Sequence, residues 1–299
     1  MFALGALFNI VLVLLLAPLF EGVIRKLKAV VHSRKGPPIT QPYIDVLKLL
    51  GKEDLDSGGG VLFRAAPIAS LGALLVAATL TPIAGRPPLG ASGDIIVWIY
   101  VMSISAVAIM IGGFASGNPF AYLGGGREMM MMLTAEPVAV VALLTAGVKA
   151  HSLVTGNIVD WQLTNGLTMS MAFAGAAFFL ALQANVGRLP FDIVEAEQEI
   201  VEGPLMEFSG PRLALFKMSF YVRQLIFPLI LVTIFIPWPA VASVPLALVA
   251  TLAKTLVVFV VIGLIDVVNP RLRIDQSMNY LARVLFVALA ALAFATIGV

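Results

Sequence analysis

The sequence predicts an all-α polytopic integral membrane protein with eight transmembrane helices, and three observations carry the prediction. Hydrophobic residues make up 60% of the 299 positions and charged residues only 12%, whereas a soluble domain carries roughly 45–50% and about 25%. Apolar runs of roughly twenty residues recur along the chain, each long enough to cross about 30 Å of hydrocarbon as a helix. These runs are uniformly apolar, unlike the alternating segments of about ten residues that build a β-barrel. A water-soluble globule and a barrel are both excluded.

The whole chain, 1–299, reads as one membrane domain with spans at 2–20, 65–84, 95–115, 129–148, 167–186, 213–238, 241–265 and 278–299. The first run follows Met1 directly and its basic cluster comes afterwards, the reverse of a secretory signal, so the first helix is expected to stay. The long connection 21–64 divides at Gly36-Pro37-Pro38 into two short amphipathic pieces. In the second piece Ile44, Leu47 and Leu50 fall near one face, suited to a membrane surface or a partner. Ahead of the fourth span, Gly124-Gly125-Gly126 and Arg127 read as a flexible turn, without the strand that a phosphate-binding loop requires. Met129 to Met132 are expected to fill packing gaps. The fifth and sixth spans flank a second long connection, 187–212; the sixth and seventh meet at Pro237-Trp238-Pro239. No internal repeat of the kind that marks inverted-repeat transporters is visible.

Charge placement sets the expected orientation. Of the 19 Lys and Arg residues, thirteen fall in the connections after the first, third, fifth and seventh spans. The positive-inside rule then puts both termini outside and the two long loops in the cytoplasm, where 21–64 and 187–212 would serve as docking surfaces. A net charge of +2 gives no basis for nucleic-acid binding. The chain has no cysteine, so it offers no thiolate for an iron–sulfur cluster, a Cys-ligated zinc or a disulfide. His32 and His151 lie in loops on opposite sides and cannot share a metal. No cofactor is expected in this chain.

Chemistry concentrates in the connection beginning Arg188-Leu-Pro-Phe-Asp192. It continues through Glu195, Glu197, Glu199 and Glu202-Gly203 to Glu207, six of the 17 carboxylates. In a helix at about 100° per residue, Asp192, Glu195, Glu199 and Glu202 share a sector of about 80°, with Glu197 on the far side. Pro190 and Gly203 would bound that helix. Crowded carboxylates raise one another's proton affinity, so the stripe is a candidate proton store; the alternative is a solvated acidic face. Glu136, beside Pro137 in the fourth span, and Lys254, near the middle of the seventh, are ionisable groups at membrane depth, the kind that mark ion pathways. A pairing of the two across the bundle is an open possibility, as is a purely structural ion pair. Glu21 has the helical ion-pair spacing to Arg25 and is also a candidate proton-entry group at the membrane boundary. Snorkelling accounts well for Lys217 and less well for Arg223. Asp266 and Asp275 flank Arg271 and Arg273 and are expected as their local partners.

Four segments together resemble the complex I subunit 1 family, which comprises the H subunit of bacterial NADH:quinone oxidoreductase and its hydrogenase relatives. They are Arg34-Lys-Gly36-Pro37 with Gln41-Pro42-Tyr-Ile-Asp45-Val-Leu-Lys48; Ala135-Glu136; Leu189-Pro-Phe-Asp192 to Glu202-Gly203 with Glu207-Phe-Ser209-Gly210; and Pro270-Arg271-Leu-Arg273-Ile-Asp275-Gln276. The acidic segment is the most specific of the four, and the eight-span plan agrees. The first loop lacks the longer Gly-Pro-Asn-Arg run typical of the respiratory quinone enzyme. The acidic loop runs into Glu202-Gly203-Pro204-Leu205. Both features are similar to the shorter membrane subunits of energy-converting group 4 [NiFe] hydrogenases, of the formate hydrogenlyase, Ech and CO-induced types.

The resemblance implies a membrane anchor that couples hydrogen evolution to H⁺ or Na⁺ translocation and performs no redox step itself. The [NiFe] centre and [4Fe–4S] clusters would lie in hydrogenase large and small subunits docked through Arg34, Gly36, Pro37, Asp45, Lys48, Arg188, Arg271, Arg273 and Asp275. A charged path through Glu136 would lead towards antiporter-like membrane subunits. The alternatives are a quinone-site component of an NADH- or F420H2-oxidising complex, a stand-alone secondary transporter, and a passive anchor.

Overall fold

The structure is a computed structural model that describes residues 2–55, 60–83, 87–88, 93–239 and 243–298; the expected span limits Ala84, Val241 and Val299, and Arg86, lie outside them. The described residues form α1 (Phe2–Val31), α2 (Gln41–Leu50), α3 (Gly60–Leu80), α4 (Ile95–Ala115), α5 (Pro119–Ala150), α6 (Thr155–Asn165), α7 (Met169–Val186), α8 (Glu197–Ile200), α9 (Gly210–Phe235), α10 (Val244–Val268) and α11 (Ile274–Ile297). Eight of these helices are long and apolar enough to cross a membrane, and no strand is present among the described residues. The chain is an all-helical, multi-pass membrane protein.

The fold gathers around α9. From Gln224 to Phe235 every residue of this helix is buried, and it touches α1, α2, α3, α6, α7 and α10. Aromatic rings tie it to its neighbours: Trp98 of α4 meets Phe227 edge-on at 5.7 Å, and Phe178 of α7 lies 5.9 Å from Phe235. By contrast α10 and α11 turn Val244, Val257, Phe286 and Ile297 outward, as lipid-facing or partner-facing helices do.

Two helices run further than the apolar pattern suggests. α1 continues to Val31, so what looks like the first amphipathic piece of the 21–64 connection is the end of a transmembrane helix. α2 is the separate second piece; it leaves Ile44, Leu47 and Leu50 exposed and anchors to α1 through the Tyr43 hydroxyl on the Leu15 carbonyl. The polypeptide passes so close to α1 that a Cβ on Gly22 would overlap the Ile39 carbonyl. α5 begins at Pro119, with the Asn118 side chain capping the Phe120 N–H at 2.9 Å. The Gly124-Gly125-Gly126 segment is therefore helical, not a turn. Its glycines lower hydrophobicity without breaking the helix, because they serve a close contact: a Cβ on Gly124 would lie 2.6 Å from Pro204 and 2.8 Å from Gly203.

The largest departure is the acidic segment. Only Glu197–Ile200 is helical, followed by a 3₁₀ turn at Gly203–Leu205. Phe191, Ile193, Val194, Ala196 and Ile200 are all buried, a pattern with no helical period, and the chain folds inward to bury them. Its backbone bonds go to local turns and to the Leu272 N–H, which donates to the Pro190 carbonyl at 2.9 Å. Packing of apolar residues overrides the helix that the carboxylate spacing suggests.

Candidate functional site

Under the acidic segment, at the end of the bundle where α1 finishes and α9 begins, lies a polar cavity of about 250 Å³. That is room for several waters. α1 supplies Glu21, Arg25 and Lys28, spaced at i, i+4 and i+7 on one face. The remaining walls come from α5, α7, α9, α10 and the 187–209 segment, which brings Arg188, Asp192, Glu195 and Glu202.

Most of the charges of this cavity are paired, as burial demands. Glu21 and Asp266, 5% and 2% exposed, are held by shared cations. Arg188 is bonded to Glu21, donates to Gln224 Oε1 at 2.8 Å and lies 3.7 Å from Asp266. Lys28 completes the set at 2.5 Å from Asp266. Asp266 is thus not the local partner of Arg271 and Arg273: on α10 it faces α1 and the cavity interior. Arg25 bonds Glu21 at 3.0 Å as its spacing suggests, and also Asp45 at 2.8 Å and the Tyr221 hydroxyl at 2.9 Å. This links the surface helix α2 to the cavity. Burial opposes the Asp45 charge, but the hydrogen bonds from Gln41 and Arg25 hold its carboxyl below the usual range.

The four carboxylates expected on one stripe do not share it: Asp192, Glu195 and Glu202 border the cavity, and Glu199 turns away to Arg127. Asp192 is bonded to Arg271 at 2.7 Å. Glu199 is bonded to Arg127 at 2.7 Å, and the same guanidinium donates to the Ile193 carbonyl. Glu207 accepts from the Asn118 amide at 2.6 Å, below α5. The Glu197 side chain lies outside those described. Glu195 and Glu202 line the cavity. Glu195 loses hydration there and is repelled by Asp192; Lys217 and Arg188 offset only part of this, and its carboxyl is pushed up to about 7. Among the solvent-facing residues at this end, Arg34, Lys48, Arg273 and Asp275 are exposed, Gly36 turns with φ +62°, and Pro37 is half-buried beside it.

Glu136 sits midway along α5, deeper than a helix starting at Met129 would put it. The Ser103 hydroxyl of α4 donates to its carboxylate at 2.8 Å. Glu136 borders two spaces: a pocket of about 20 Å³ with Trp98, Asn185 and Phe227, and an apolar groove of about 540 Å³ between α4 and α5 that includes Tyr100, Leu133 and Leu144. It does not meet Lys254. That ammonium reaches the far end of α9, donating to the Ile236 carbonyl at 2.7 Å and the Trp238 carbonyl at 3.2 Å. A long stem lets Lys254 find backbone oxygens from a mid-helix position.

Glu128 is a site residue that the sequence pattern hides. It is buried in α5, lines the cavity, and bonds Arg223 of α9 at 3.0 Å. Arg223 is thus an ion-paired cavity residue and not a snorkelling one. The signal available was an arginine nearly three turns inside an apolar span without a visible partner.

A thin wall separates the cavity from Glu136. Ala184 and Val186 line the cavity while Asn185 between them lines the Glu136 pocket; likewise Arg223 lines the cavity and Phe227, one turn on, lines the pocket. Among the described residues no three His, Asp or Glu side chains gather as a metal site. The arrangement suits movement of protons or charge between a hydrated vestibule and a buried carboxyl.

Comparison with known proteins gives a consistent set of relatives. The family model described as NADH dehydrogenase matches residues 4–297. Formate hydrogenlyase subunit 4 of Escherichia coli (strain K12) is 35% identical over 270 residues, 87% of each chain. Hydrogenase-4 component C of the same organism is 33% identical over 271 residues, 87% of this chain and 85% of that one. The H subunit of the NADH-quinone oxidoreductase of Deinococcus deserti is 32% identical over 278 residues, covering 83% of this chain and 69% of that one. A chain of the membrane-bound sulfane sulfur reductase, an archaeal respiratory membrane complex, superposes with a TM-score of 0.90 at 29% identity, over 98% of this chain and 99% of that one.

Proposed function

Because the chain belongs to the NADH dehydrogenase family, the complex I subunit 1 group that includes membrane subunits of hydrogenase complexes, we propose that it anchors and couples a membrane-bound [NiFe] hydrogenase. In this reading hydrogen evolution by docked large and small subunits is linked to H⁺ or Na⁺ translocation by antiporter-like membrane subunits in the same bilayer. The single observation that carries the reading is the polar cavity under the acidic segment, one residue layer from a carboxyl at mid-membrane depth.

The [NiFe] centre and [4Fe–4S] clusters belong to the partners, since this chain has no cysteine to hold them. They supply the electron transfer; this chain's own residues handle charge. Glu195, close to neutrality at about 7, gains or loses a proton as charge beneath the partner changes. Glu202 adds a second carboxylate to the same wall. The Glu21, Arg188 and Asp266 network holds the cavity in shape, so Arg188, expected on the docking face, is instead a buried residue of the cavity, and Glu136 receives or repels charge across the wall. Asp192, Glu197, Glu199 and Glu207 shape or extend the acidic segment. The exposed Arg34, Lys48, Arg273 and Asp275, with Gly36, Pro37, Asp45 and Arg271, form the docking face. The orientation that suits this reading has both termini outside and the cavity end in the cytoplasm, in the cell membrane.

The test is mild-detergent purification of the tagged protein from native membranes, with nickel and iron analysis and a hydrogen-evolution assay on reduced viologen. Nickel, iron and hydrogen production with this chain support the proposal. Iron without nickel, with quinone-dependent oxidation, replaces it by the quinone-oxidoreductase branch to which the Deinococcus deserti relative belongs.

A further inference from the structure

The Glu128–Arg223 pair occupies the boundary between the two spaces that the proposed function must connect. Arg223 bonds Glu128 at 3.0 Å, and both side chains are about nine-tenths buried. On α9, Arg223 lies one turn, about 6 Å, before Phe227, which marks the level of the Glu136 pocket. On α5, Glu128 and Glu136 lie eight residues apart, about 12 Å along the axis and about 80° around it. Arg223 is therefore rooted on α9 between the levels of the two carboxyls. It is bonded to the first, and among the described residues the second has no ion-pair partner, only the Ser103 hydroxyl. An ionised carboxylate at that depth costs several kcal/mol unless a cation joins it, so whether Arg223 is near decides whether Glu136 keeps its proton.

We infer that Arg223 is a two-position cation that closes the passage between cavity and mid-membrane carboxyl when bonded to Glu128 and opens it by moving to Glu136. The inference rests on the coupling function proposed above and names the residue that enforces it. When Glu128 takes a proton from the cavity, the ion pair loses its negative member and Arg223, still protonated, swings from the level of Glu128 towards that of Glu136, about 12 Å along the axis. The Glu136 carboxyl releases its proton on the groove side between α4 and α5 and pairs with the guanidinium. One proton has entered at Glu128 and one has left at Glu136, with the charge count unchanged. Glu128 then re-ionises by passing its proton through the open passage to Glu136, which neutralises Glu136 and draws Arg223 back, so that each cycle moves one proton from cavity to groove. Groups that bias the first step face the pair from every side of the cavity: Lys217 on α9, Glu195 and Glu202 from the acidic segment, Glu21 on α1 and Asp266 on α10 with their shared cation Arg188. Arg223 is a positioning residue: it sets when Glu136 exchanges its proton.

The experiment is a double-mutant cycle in the intact complex, reconstituted in proteoliposomes and normalised to assembled protein, reading ions moved per hydrogen evolved. Glu128→Gln should strand Arg223 on Glu136 and lower that ratio by about tenfold or more while hydrogen evolution continues. Arg223→Gln should lower it as well, and it leaves Glu128 as an unpaired buried charge, so assembly falls too. The Glu128→Gln, Arg223→Gln double variant decides the matter. It removes both buried charges and restores assembly; a gate stays broken and the ratio stays low, whereas a merely structural pair gives normal coupling back. Recovery of the ratio in the double variant, or an unchanged ratio in assembled Glu128→Gln, overturns the inference. The parent reading has its own readout, the ratio in Glu136→Gln, so either can fail alone.

Discussion

Arg188 and Glu21, 167 residues apart in sequence, form a buried ion pair that ties the acidic segment to the last turns of α1. The same guanidinium stands 3.7 Å from Asp266, so one side chain neutralises carboxylates on two helices. Arg188→Gln leaves both with weaker compensation, and breaking a buried pair from one side costs about 3–5 kcal/mol. A lower unfolding midpoint in detergent is expected, with partial recovery in Arg188→Lys. A midpoint equal to wild type in both variants would contradict the assignment of Arg188 as the keystone of the network.

Glu195 gives the pH dependence. Its carboxyl is pushed up to about 7 by burial and by Asp192, above the ordinary value of 4.5. The folded chain therefore binds this proton more tightly than the unfolded one. Its contribution to stability is full below the unfolded value and is lost as pH rises through about 7. Stability should fall between about pH 4.5 and 7 more steeply in wild type than in Glu195→Gln, measured as unfolding midpoint against pH. Parallel curves would remove Glu195 from the titrating role.

Glu136→Gln keeps the Ser103 hydrogen bond, since an amide oxygen accepts as a carboxylate does. The variant should assemble, evolve hydrogen within about twofold of wild type, and lose most ion movement, as removal of an intramembrane carboxyl predicts. Equal loss of both activities in assembled complex argues that Glu136 is structural.

Gly124 sets how closely the acidic segment seats on α5. A Cβ there lies 2.6 Å from the Pro204 ring and 2.7 Å from its backbone nitrogen, and backbone cannot yield as a flexible side chain does. Gly124→Ala should cost about 1–3 kcal/mol as overpacking does, and should raise protease sensitivity between Glu195 and Leu205. Gly126, which has open space at its Cβ position, provides the matched control: Gly126→Ala should be neutral or slightly stabilising.

Hydropathy made the spans legible, because eight apolar runs report bilayer thickness irrespective of how the helices pack. The Glu21–Arg25 pair was legible for a similar reason, being a local spacing on one helix. Glu128–Arg223 was hidden: its members are 95 residues apart, and Glu128 lies next to a glycine run that lowers hydropathy while the helix continues through it. The acidic stripe misled because carboxylate spacing carried a helical period while the buried Phe191, Ile193, Val194 and Ala196 did not, and burial decided the backbone. Asp266 misled through proximity in sequence to Arg271 and Arg273, when its helix turns it towards Lys28 and Arg188.

Lys254 bears on how the chain is made. Pro237 and Pro239 follow α9 and have no N–H, and the carbonyls of Ile236 and Trp238 accept their bonds from an ammonium 18 and 16 residues further along. When α9 leaves the ribosome those oxygens still await their donor, which arrives only with the middle of α10. The two helices are thus suited to enter the bilayer as a hairpin, the later-made helix supplying bonds to the turn that follows the earlier one, and a chain halted before Lys254 would leave the Ile236 and Trp238 carbonyls without that donor.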